Sequence, residues 1–413
     1  MSAAHGVSVR SRGERSLIHD SGTQATVARL RADTPACENV VHFDNAGSAL
    51  PPRPVVDRVI RHLRREEQVG GYLAADEVRD ELADGYAALA RLVGARPEEI
   101  AVTDSATRSW VSVFTGVSWR EGDRVLTAAS EYSSNLIAMF EAARERGVRV
   151  ERVPSAADGD VDVDALSAML DDRVRMVAIT HAPTNGGLVQ PVERIGAALG
   201  DHPALFLVDA CQSIGQLPLD LDTVNADALS ATGRKYLRAP RGTGFLAVRG
   251  SALEDLTPVH VDLDSAWLED GRVRLRGDAR RFELFERNVA AVLGLGEAAR
   301  YYLDVGPEWV HEYVTGLAEH LRERLTELSD VEVTDIGSCR SGIVSFRAHT
   351  VPARELVARL KERGVHATVS RASSTPWDMG DRELDELVRA SVHYYNTPDE
   401  VARFCAEVAS MLR

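Results

Sequence analysis

Two strand-like runs in this chain, residues 204–208 and 226–231, each deliver polar side chains at their carboxyl ends. The first run is followed by Asp209 and Gln212, and the second by Thr232, Arg234 and Lys235. In open parallel sheets, ligands bind beyond the carboxyl ends of the strands. We therefore expect these five side chains to converge on one site.

Lys235 is the residue in this group with the clearest chemical use. A lysine amine loses its proton easily when a neighbouring cation such as Arg234 or partial burial disfavours the charge, and it can then condense with an aldehyde. Asp209, at a strand end, could hold a pyridine nitrogen protonated and so maintain an electron sink. A lone lysine after glycine is usually a solvated surface residue, but the ordered set of neighbours favours a pyridoxal phosphate (PLP) site instead.

Five motifs extend this reading along the chain. In order and spacing they resemble the class V aminotransferase and cysteine desulfurase family of fold-type I PLP-dependent enzymes, over about residues 31–413. The motifs are His42-Phe-Asp-Asn-Ala-Gly47, Ser130-Glu-Tyr-Ser-Ser-Asn135, Val208-Asp-Ala-Cys-Gln-Ser213, Thr232-Gly-Arg-Lys-Tyr-Leu-Arg-Ala-Pro-Arg-Gly-Thr-Gly244 and Arg389-Ala-Ser-Val-His-Tyr-Tyr-Asn-Thr397.

The resemblance implies a role for each site residue. Lys235 would carry PLP as an internal aldimine, Asp209 would face the ring nitrogen, and Tyr132 would stack on the ring where relatives usually have histidine. Gln212 would reach the ring oxygen, while Thr232 and Arg234 would bind the phosphate. Thr184 matches a position beside the ring oxygen or the substrate carboxylate, with Asn185 as the competing assignment and a loop-shaping role open for both. Arg389 would grip the substrate carboxylate, a bidentate task suited to guanidinium, and the neighbouring substrate contacts would come from Asn45, Ala46 and Asn185.

A second phosphate contact is predicted where a strand leads into a helix. In the segment 103–110, the backbone amides of Ser105, Ala106 and Thr107, with a hydroxyl group, could hold an anion at the amino end of the helix. An ordinary helix cap would have the same residue types.

Two departures from the family pattern affect the functional reading. Desulfurases attack the substrate sulfur with a cysteine on a loop before the carboxylate-binding arginine, and the matching segment here, Val369-Ser-Arg-Ala-Ser-Ser-Thr-Pro-Trp377, has none. Where a partner subunit normally offers threonine to the phosphate, this chain has Glu286, so Arg287 or a backbone amide would have to replace it.

The leading functional hypothesis is carbon–sulfur β-cleavage of a cysteine S-conjugate or its sulfoxide, with Lys235 abstracting the α-proton. It rests on the missing cysteine and on a likeness of Gln68-Val-Gly-Gly-Tyr-Leu-Ala-Ala-Asp-Glu77, together with the motifs at 130–135 and around Lys235, to ergothioneine sulfoxide lyases and the cysteine-conjugate enzymes of lincosamide biosynthesis. The alternatives are a class V aminotransferase or epimerase in secondary metabolism, decarboxylative processing of such a conjugate, or a PLP-binding relative without turnover.

Composition narrows the partners. The 413-residue chain has a formal net charge of -15, which argues against nucleic acid or an anionic membrane surface. With no apolar run of membrane-span length and no apolar signal core in residues 1–35, a cytoplasmic location is expected. The four cysteines lack metal-site spacing, so no metal is expected. The resemblance implies a homodimer with a shared active site, in which residues 281–288 lie near the partner's site.

The elements that must position these residues alternate along the chain. Strand-like runs at 100–103, 124–127, 148–153, 176–180, 205–208 and 228–231 alternate with helical patterns, which predicts an α/β fold with a mostly parallel sheet covered by helices on both faces. The resemblance adds a seventh, antiparallel strand at 244–249. We predict a flexible extension over 1–23, with a helix opening at Thr26, a large domain over 24–287 whose amino-terminal segment contributes to the small domain, and a smaller carboxyl-terminal α+β domain over 288–413.

Overall fold

A computed structural model describes residues 18–412 of the chain. Within this range, fifteen strands occur: β1 Val41–His42, β2 Ile100–Thr103, β3 Arg124–Thr127, β4 Arg149–Arg152, β5 Val174–Thr180, β6 Leu205–Asp209, β7 Ala228–Thr232, β8 Gly244–Val248, β9 Ala266–Glu269, β10 Arg272–Leu275, β11 Val331–Val333, β12 Ile343–Ala348, β13 Val365–His366, β14 Thr368–Arg371 and β15 Glu386–Ser391.

The same range contains fifteen α-helices. They are α1 Ser21–Ala32, α2 Asn45–Ser48, α3 Arg53–Val69, α4 Gly71–Asp76, α5 Arg79–Leu92, α6 Ala106–Gly116, α7 Ser133–Arg146, α8 Val163–Met169, α9 Val192–Leu199, α10 Leu221–Val224, α11 Val289–Val305, α12 Pro307–Thr326, α13 Ala353–Glu362, α14 Pro376–Asp381 and α15 Pro398–Met411.

Seven strands form the main sheet, in the order β2-β8-β7-β6-β5-β3-β4. All neighbours are parallel except β8, which runs antiparallel to both β2 and β7. The central strands β5 and β6 are buried along nearly their whole length, because helices cover both faces of the sheet. The predicted α/β fold-type I architecture is therefore confirmed, including the antiparallel strand after Lys235.

A second sheet of four antiparallel strands, in the order β11-β12-β15-β14, forms the carboxyl-terminal part of the molecule. The amino-terminal segment joins this part: β1 pairs in parallel with β13, and Asp44 bridges to Ser391. Helix α12 packs against α15 and β11, whereas α11 packs against α3 and α5. The change of packing partners thus falls between α11 and α12, while the domain boundary placed at 287/288 stays a prediction.

The amino-terminal helix begins earlier than the sequence indicated. Helix α1 starts at Ser21 rather than Thr26, because the Asp20 side chain accepts a hydrogen bond from the Thr23 amide and caps the helix. Helix α1 thus includes residues 21–23 of the predicted extension over 1–23, whose flexibility stays a prediction, and residues 1–17 lie outside the described range.

No helix in residues 18–412 combines the length and apolar character needed to cross a bilayer. The cytoplasmic location stays a prediction.

Candidate functional site

The site lies at the carboxyl edge of the main sheet, where β5, β6 and β7 end side by side. Asp209, the last residue of β6, pairs with Thr180 of β5 on one side and with Ser230 of β7 on the other. Its carbonyl also accepts the His181 amide at 2.9 Å. The adjacent carboxyl ends of β5, β6 and β7 therefore position the polar side chains that follow them.

Lys235 is buried, with 9% of its surface exposed. Its Nζ lies 3.3 Å from the Sγ of Cys211. Burial lowers the pKa of the Lys235 amine from its ordinary value, and the charges of Arg234 and Arg389 act in the same direction, against the opposing influence of Cys211 and Asp209. The amine is therefore easier to deprotonate than a surface lysine, as imine formation requires.

Asp209 is held by two donors in a buried position. Its Oδ1 accepts the Cys211 amide and its Oδ2 accepts the Asn135 side chain, both at 2.9 Å. Burial raises the pKa of the Asp209 carboxyl, while these two hydrogen bonds and the charge of Lys235 lower it. A buried carboxylate with fixed donors is suited to pair with a protonated ring nitrogen.

A chain of polar contacts connects the two sheets across the site. Gln212 donates to the Ala46 carbonyl at 3.1 Å and to the Thr184 hydroxyl at 3.2 Å. Arg389, on β15, donates to the same hydroxyl at 2.7 Å and to the Asp44 carboxylate at 3.0 Å. The structure thus brings Gln212, Thr184 and Arg389 together at the point where the small sheet meets the large one.

The predicted phosphate end lies at the amino terminus of α6. Ser105 caps this helix by accepting the Arg108 amide at 3.2 Å, so the earlier amides of Ala106 and Thr107 have no intrahelical acceptor. Gly244 allows the close approach of β8, because a Cβ there would lie 2.6 Å from the Ser105 carbonyl carbon.

The other two predicted phosphate ligands follow on β7 and in the turn after it. Thr232 is buried and its hydroxyl lies 3.5 Å from the Thr243 carbonyl, and Arg234 is half-buried. A cavity of about 210 Å³ beside them is lined by Thr103, Asp104, Arg108, Gly242, Thr243, Glu286 and Arg287, among others.

Arg287 was considered as the replacement for the threonine that normally contacts the phosphate in the partner subunit, but its side chain already forms hydrogen bonds within its own chain. Arg287 donates to Glu283 at 2.7 Å and to the Tyr86 hydroxyl at 2.9 Å. Glu286 is exposed. Arg287 is paired and Glu286 is an anion, so neither side chain offers a free positive charge to a phosphate, and the contact across the subunit interface stays a prediction.

Two residues predicted to touch the substrate have their amides fully engaged by the protein. Asn45 donates to the carbonyls of His42 and Ser391 and to Asn396, and accepts the Tyr395 hydroxyl. Asn185 donates to the Arg371 carbonyl at 3.1 Å and to the Thr375 hydroxyl at 2.7 Å. Both side chains therefore position neighbouring backbone, and a direct amide contact to substrate would break these bonds.

The sequence analysis gave a role to Tyr132, which is half-buried and occupies the N-cap position of α7 without a side-chain capping bond, but it gave none to Glu131, Asn135 or Cys211. Glu131 and Asn135 are buried beside Asp209, and Cys211 lies against Lys235. The signal was their place just beyond β3: Glu131 precedes the N-cap residue Tyr132 and Asn135 lies in the first turn of α7, so both are at the carboxyl edge of the sheet.

Among residues 18–412 no group of three or more histidine, cysteine or carboxylate side chains is arranged to hold a metal ion.

Cys37 and Cys405 are buried, and burial raises the pKa of their thiols to about 11 and about 12. Cys339 is exposed and unpaired by a disulfide.

The polar atoms left without partners fit a bound cofactor and substrate. Among the described residues, Gln212 Oε1 and Arg389 Nε are buried without a hydrogen-bond partner. Such atoms are costly to bury unless something binds them. Together with a deprotonation-prone lysine, a buried carboxylate and a helix amino terminus, they match the aldehyde, ring nitrogen and phosphate of PLP.

This fold and this lysine-centred site define a fold-type I PLP-dependent enzyme. Residues 41–404 match the family Aminotransferase class-V, and the chain belongs to that family. Its cofactor is PLP.

Curated relatives cover almost the whole chain. A protein of Methanothermobacter thermautotrophicus named "Probable cysteine desulfurase" is 29% identical over 90% of this chain and 94% of its own length. "Probable cysteine desulfurase 2" of Mycobacterium leprae is also 29% identical, over 94% and 97%. The family likeness is therefore global and extends to both sheets.

Solved structures share the fold of this chain. The apo cysteine desulfurase of Thermococcus onnurineus NA1 superposes with a TM-score of 0.87 at 24% identity, covering 93% of this chain and 98% of that one. The cystine C-S lyase C-DES, in complex with its product cysteine persulfide, gives a TM-score of 0.82 at 25% identity, covering 91% and 99%.

Proposed function

We propose that this protein is a PLP-dependent lyase that breaks the carbon–sulfur bond of a cysteine S-conjugate or its sulfoxide. The observation that carries the proposal is the segment 369–377, which lacks a cysteine and is fastened to the body of the protein. A desulfurase needs a thiol on this segment to receive the sulfur.

The segment is anchored at both ends by one side chain. Asn185 accepts the Ser370 hydroxyl and donates to that of Thr375, at 2.5 and 2.7 Å. The following helix α14 is tied to the region before α7, because the Asp378 amide donates to the Ala129 carbonyl at 3.1 Å. These contacts favour a fixed wall over a mobile arm that carries a nucleophile.

The remaining cysteine near the site is a poor nucleophile. Burial raises the pKa of the Cys211 thiol, against the effect of Lys235, so the thiolate that would attack sulfur is disfavoured. With Cys37 and Cys405 buried elsewhere, transfer of sulfur to the protein has little support from these three thiols.

The site residues have complementary tasks in the proposed reaction. Bound PLP supplies an electron sink for the charge that develops at the α-carbon. Arg389 binds the substrate carboxylate, Lys235 takes the α-proton, and Asp209 holds a proton at the ring nitrogen. The bond between the β-carbon and sulfur then breaks, and sulfur leaves with the electron pair. With one water, the conjugate yields a thiol, pyruvate and ammonium, and the sulfoxide yields a sulfenic acid in place of the thiol.

One structural neighbour and one sequence resemblance support this choice. C-DES, named as a cystine C-S lyase, shares the fold across 91% of this chain. The likeness of the segment 68–77 to ergothioneine sulfoxide lyases and lincosamide cysteine-conjugate enzymes favours a substituted cysteine over free cysteine.

The test is an absorption titration of the purified holoenzyme with L-cysteine, a cysteine S-conjugate sulfoxide and L-alanine, with pyruvate, alanine and pyridoxamine phosphate measured in parallel. Pyruvate from the conjugate, with the cofactor absorbance returning to its starting value, is the expected result. Accumulation of the pyridoxamine form without pyruvate would assign an aminotransferase instead, and alanine with a protein-bound persulfide would assign a desulfurase.

We also propose that the enzyme is a homodimer. Exposed apolar side chains lie on the hairpin β9–β10 and around α4, where Tyr72 is 80% and Leu268 78% exposed. Tyr72 lines a cavity of about 720 Å³ with Leu63 and Phe285. Apolar surface of this kind in an enzyme of this size is typical of a subunit interface.

A further inference from the structure

Two buried carboxylates beside the cofactor site share a single amide group. The carboxylate of Glu131 is fully buried, although it forms no ion pair with any residue in the described range 18–412. Its oxygens accept the Thr127 hydroxyl at 2.9 Å, the Thr180 amide at 3.1 Å and hydroxyl at 2.6 Å, and the Tyr132 amide at 3.0 Å. Glu131 is therefore fixed between the ends of β3 and β5.

Asn135 connects this carboxylate to Asp209. Its Nδ2 donates to Glu131 Oε1 at 2.7 Å and to Asp209 Oδ2 at 2.9 Å. The side-chain amide of asparagine has two protons on one nitrogen and can therefore serve two acceptors at once. Aspartate, which has the same shape, offers no such donor when ionised.

The surroundings make the donors necessary. Burial raises the pKa of Glu131 to about 6, and it raises the pKa of Asp209 as well. The titratable groups that face Asp209 are Glu131 across Asn135, Lys235 and Cys211 on the lysine side, and His181 through its backbone amide. A Lys235 joined to the cofactor would no longer face Asp209 as a free ammonium, so the Asn135 and Cys211 donors would be the protein groups that hold the Asp209 carboxylate.

We infer that Glu131 and Asn135 are positioning residues that orient Asp209 and keep it ionised toward the cofactor's ring nitrogen. Glu131 accepts a hydrogen bond from the side-chain amide of Asn135, and the same amide donates to Asp209 Oδ2. Asp209 Oδ1 accepts the Cys211 backbone amide, so both carboxylate oxygens are held in place. This inference rests on the proposed role of Asp209 and adds the residues through which that role is maintained.

The decisive variant is Asn135→Asp, which keeps the side-chain shape and removes both donated bonds when ionised, or one of the two when protonated. The holoenzyme is reconstituted with PLP labelled with ¹⁵N in the ring, and the nitrogen resonance is followed with pH. The expected result is a shift toward the unprotonated ring nitrogen at neutral pH and a cofactor dissociation constant raised by about tenfold or more, since a hydrogen bond to a charged group is lost. Ser134→Ala, one residue away, is the matched control.

Two further variants keep the outcomes distinct. Asn135→Ala is expected to shift the resonance in the same direction, which makes the result independent of the added carboxylate. A lower melting temperature with an unchanged ¹⁵N resonance in both variants would mean that Asn135 is only structural and would overturn the inference. Asp209→Ala serves as the reference: if it too leaves the resonance unchanged, the assignment of Asp209 fails, and not the Glu131–Asn135 connection alone.

Discussion

Arg389, the proposed ligand of the substrate carboxylate, is already held by hydrogen bonds within the protein. Its guanidinium donates to Thr184 and to Asp44, while Nε remains buried without a partner among the described residues. Asp44 thus stands where a substrate carboxylate would compete for the same donors. A planar guanidinium can serve both geometries, whereas the ammonium of lysine is a single point charge.

We predict that Arg389→Lys raises KM for the amino acid substrate by about tenfold to a hundredfold and lowers kcat less, since the bidentate bond positions the substrate carboxylate. Steady-state kinetics with the substrate found in the absorption titration measure this. Arg340→Lys, on the surface beside Glu319, is the control. Unchanged KM in the Arg389 variant would place the carboxylate elsewhere.

His181 provides a residue-scale prediction about pH. Burial lowers the pKa of its imidazole to about 4 from an ordinary value of 6.5. Between these values the unfolded chain binds more protons than the folded one, so the contribution of His181 to stability is fully present above pH 6.5 and is lost as the pH falls toward 4. The full span corresponds to about 3 kcal/mol.

We therefore expect the free energy of unfolding of His181→Asn to fall less steeply than that of the wild type between pH 6.5 and 4. Urea unfolding of both proteins at several pH values, in the same cofactor state, gives the difference and cancels the contribution of other groups such as Glu131. The exposed His349→Asn variant should follow the wild type. Parallel slopes for His181→Asn and the wild type would contradict the prediction.

Among the elements, the segment from β14 to α14 is held at two points by one side chain, Asn185. Asn185 holds Ser370 and Thr375, and these contacts join the end of β14 to the start of α14. Loss of the Asn185 amide would leave the hydroxyls and the Arg371 carbonyl without these partners. Local opening of the segment then becomes easier than global unfolding.

We predict that Asn185→Ala speeds backbone hydrogen exchange over residues 369–381 by about tenfold or more while the main sheet exchanges as before. Exchange followed by mass spectrometry resolves the segment from β5 and β6. Ser373→Ala, on the exposed side of the same segment, is the control. Uniformly faster exchange across the protein would mean that Asn185 supports the fold in general and does not fasten this segment in particular.

The elements that the sequence predicted well are those with a strong local pattern. The strands at 100–103 and 124–127 match the structure to the residue, because each is a short apolar run followed by turn or cap residues. The hairpin β9–β10 and the short helix α14 were not predicted, since their residues are mostly polar or exposed and lack periodicity. Helix α1 was placed too late because Asp20 was not recognised as its cap.

The site was predictable where it depends on strand ends and unpredictable where it depends on distant contacts. Asp209 and Gln212 follow one strand and Lys235 the next, so parallel topology alone brings them together. The pairing of Asn135 with Asp209 joins residues 74 positions apart, and that of Arg389 with Asp44 joins residues 345 apart. No local pattern shows such contacts, and they require the folded arrangement of both sheets.

At the scale of the whole molecule, the single chain has an exposed apolar surface around the hairpin β9–β10. Around the hairpin β9–β10, Leu263, Trp267, Leu268 and Val273 are each more than half exposed. The chain otherwise has a strongly charged surface, with a net charge of -15, so repulsion between copies opposes association unless apolar contact outweighs it. A symmetric pair of these patches would provide that contact.

We predict that the wild type sediments as a dimer of about 90 kDa, twice the 45.0 kDa of one chain, and that Leu268→Lys shifts it toward the monomer. Leu268 is 78% exposed, so a lysine there can be tolerated by the isolated subunit but would bury a charge at an apolar interface. Ile137→Lys, at 64% exposure on α7, is the matched control and should leave the dimer intact. Sedimentation velocity at several concentrations separates the two states. A wild-type monomer would remove the homodimer proposal, whereas a dimer unaffected by Leu268→Lys would move the interface to the surface around α4.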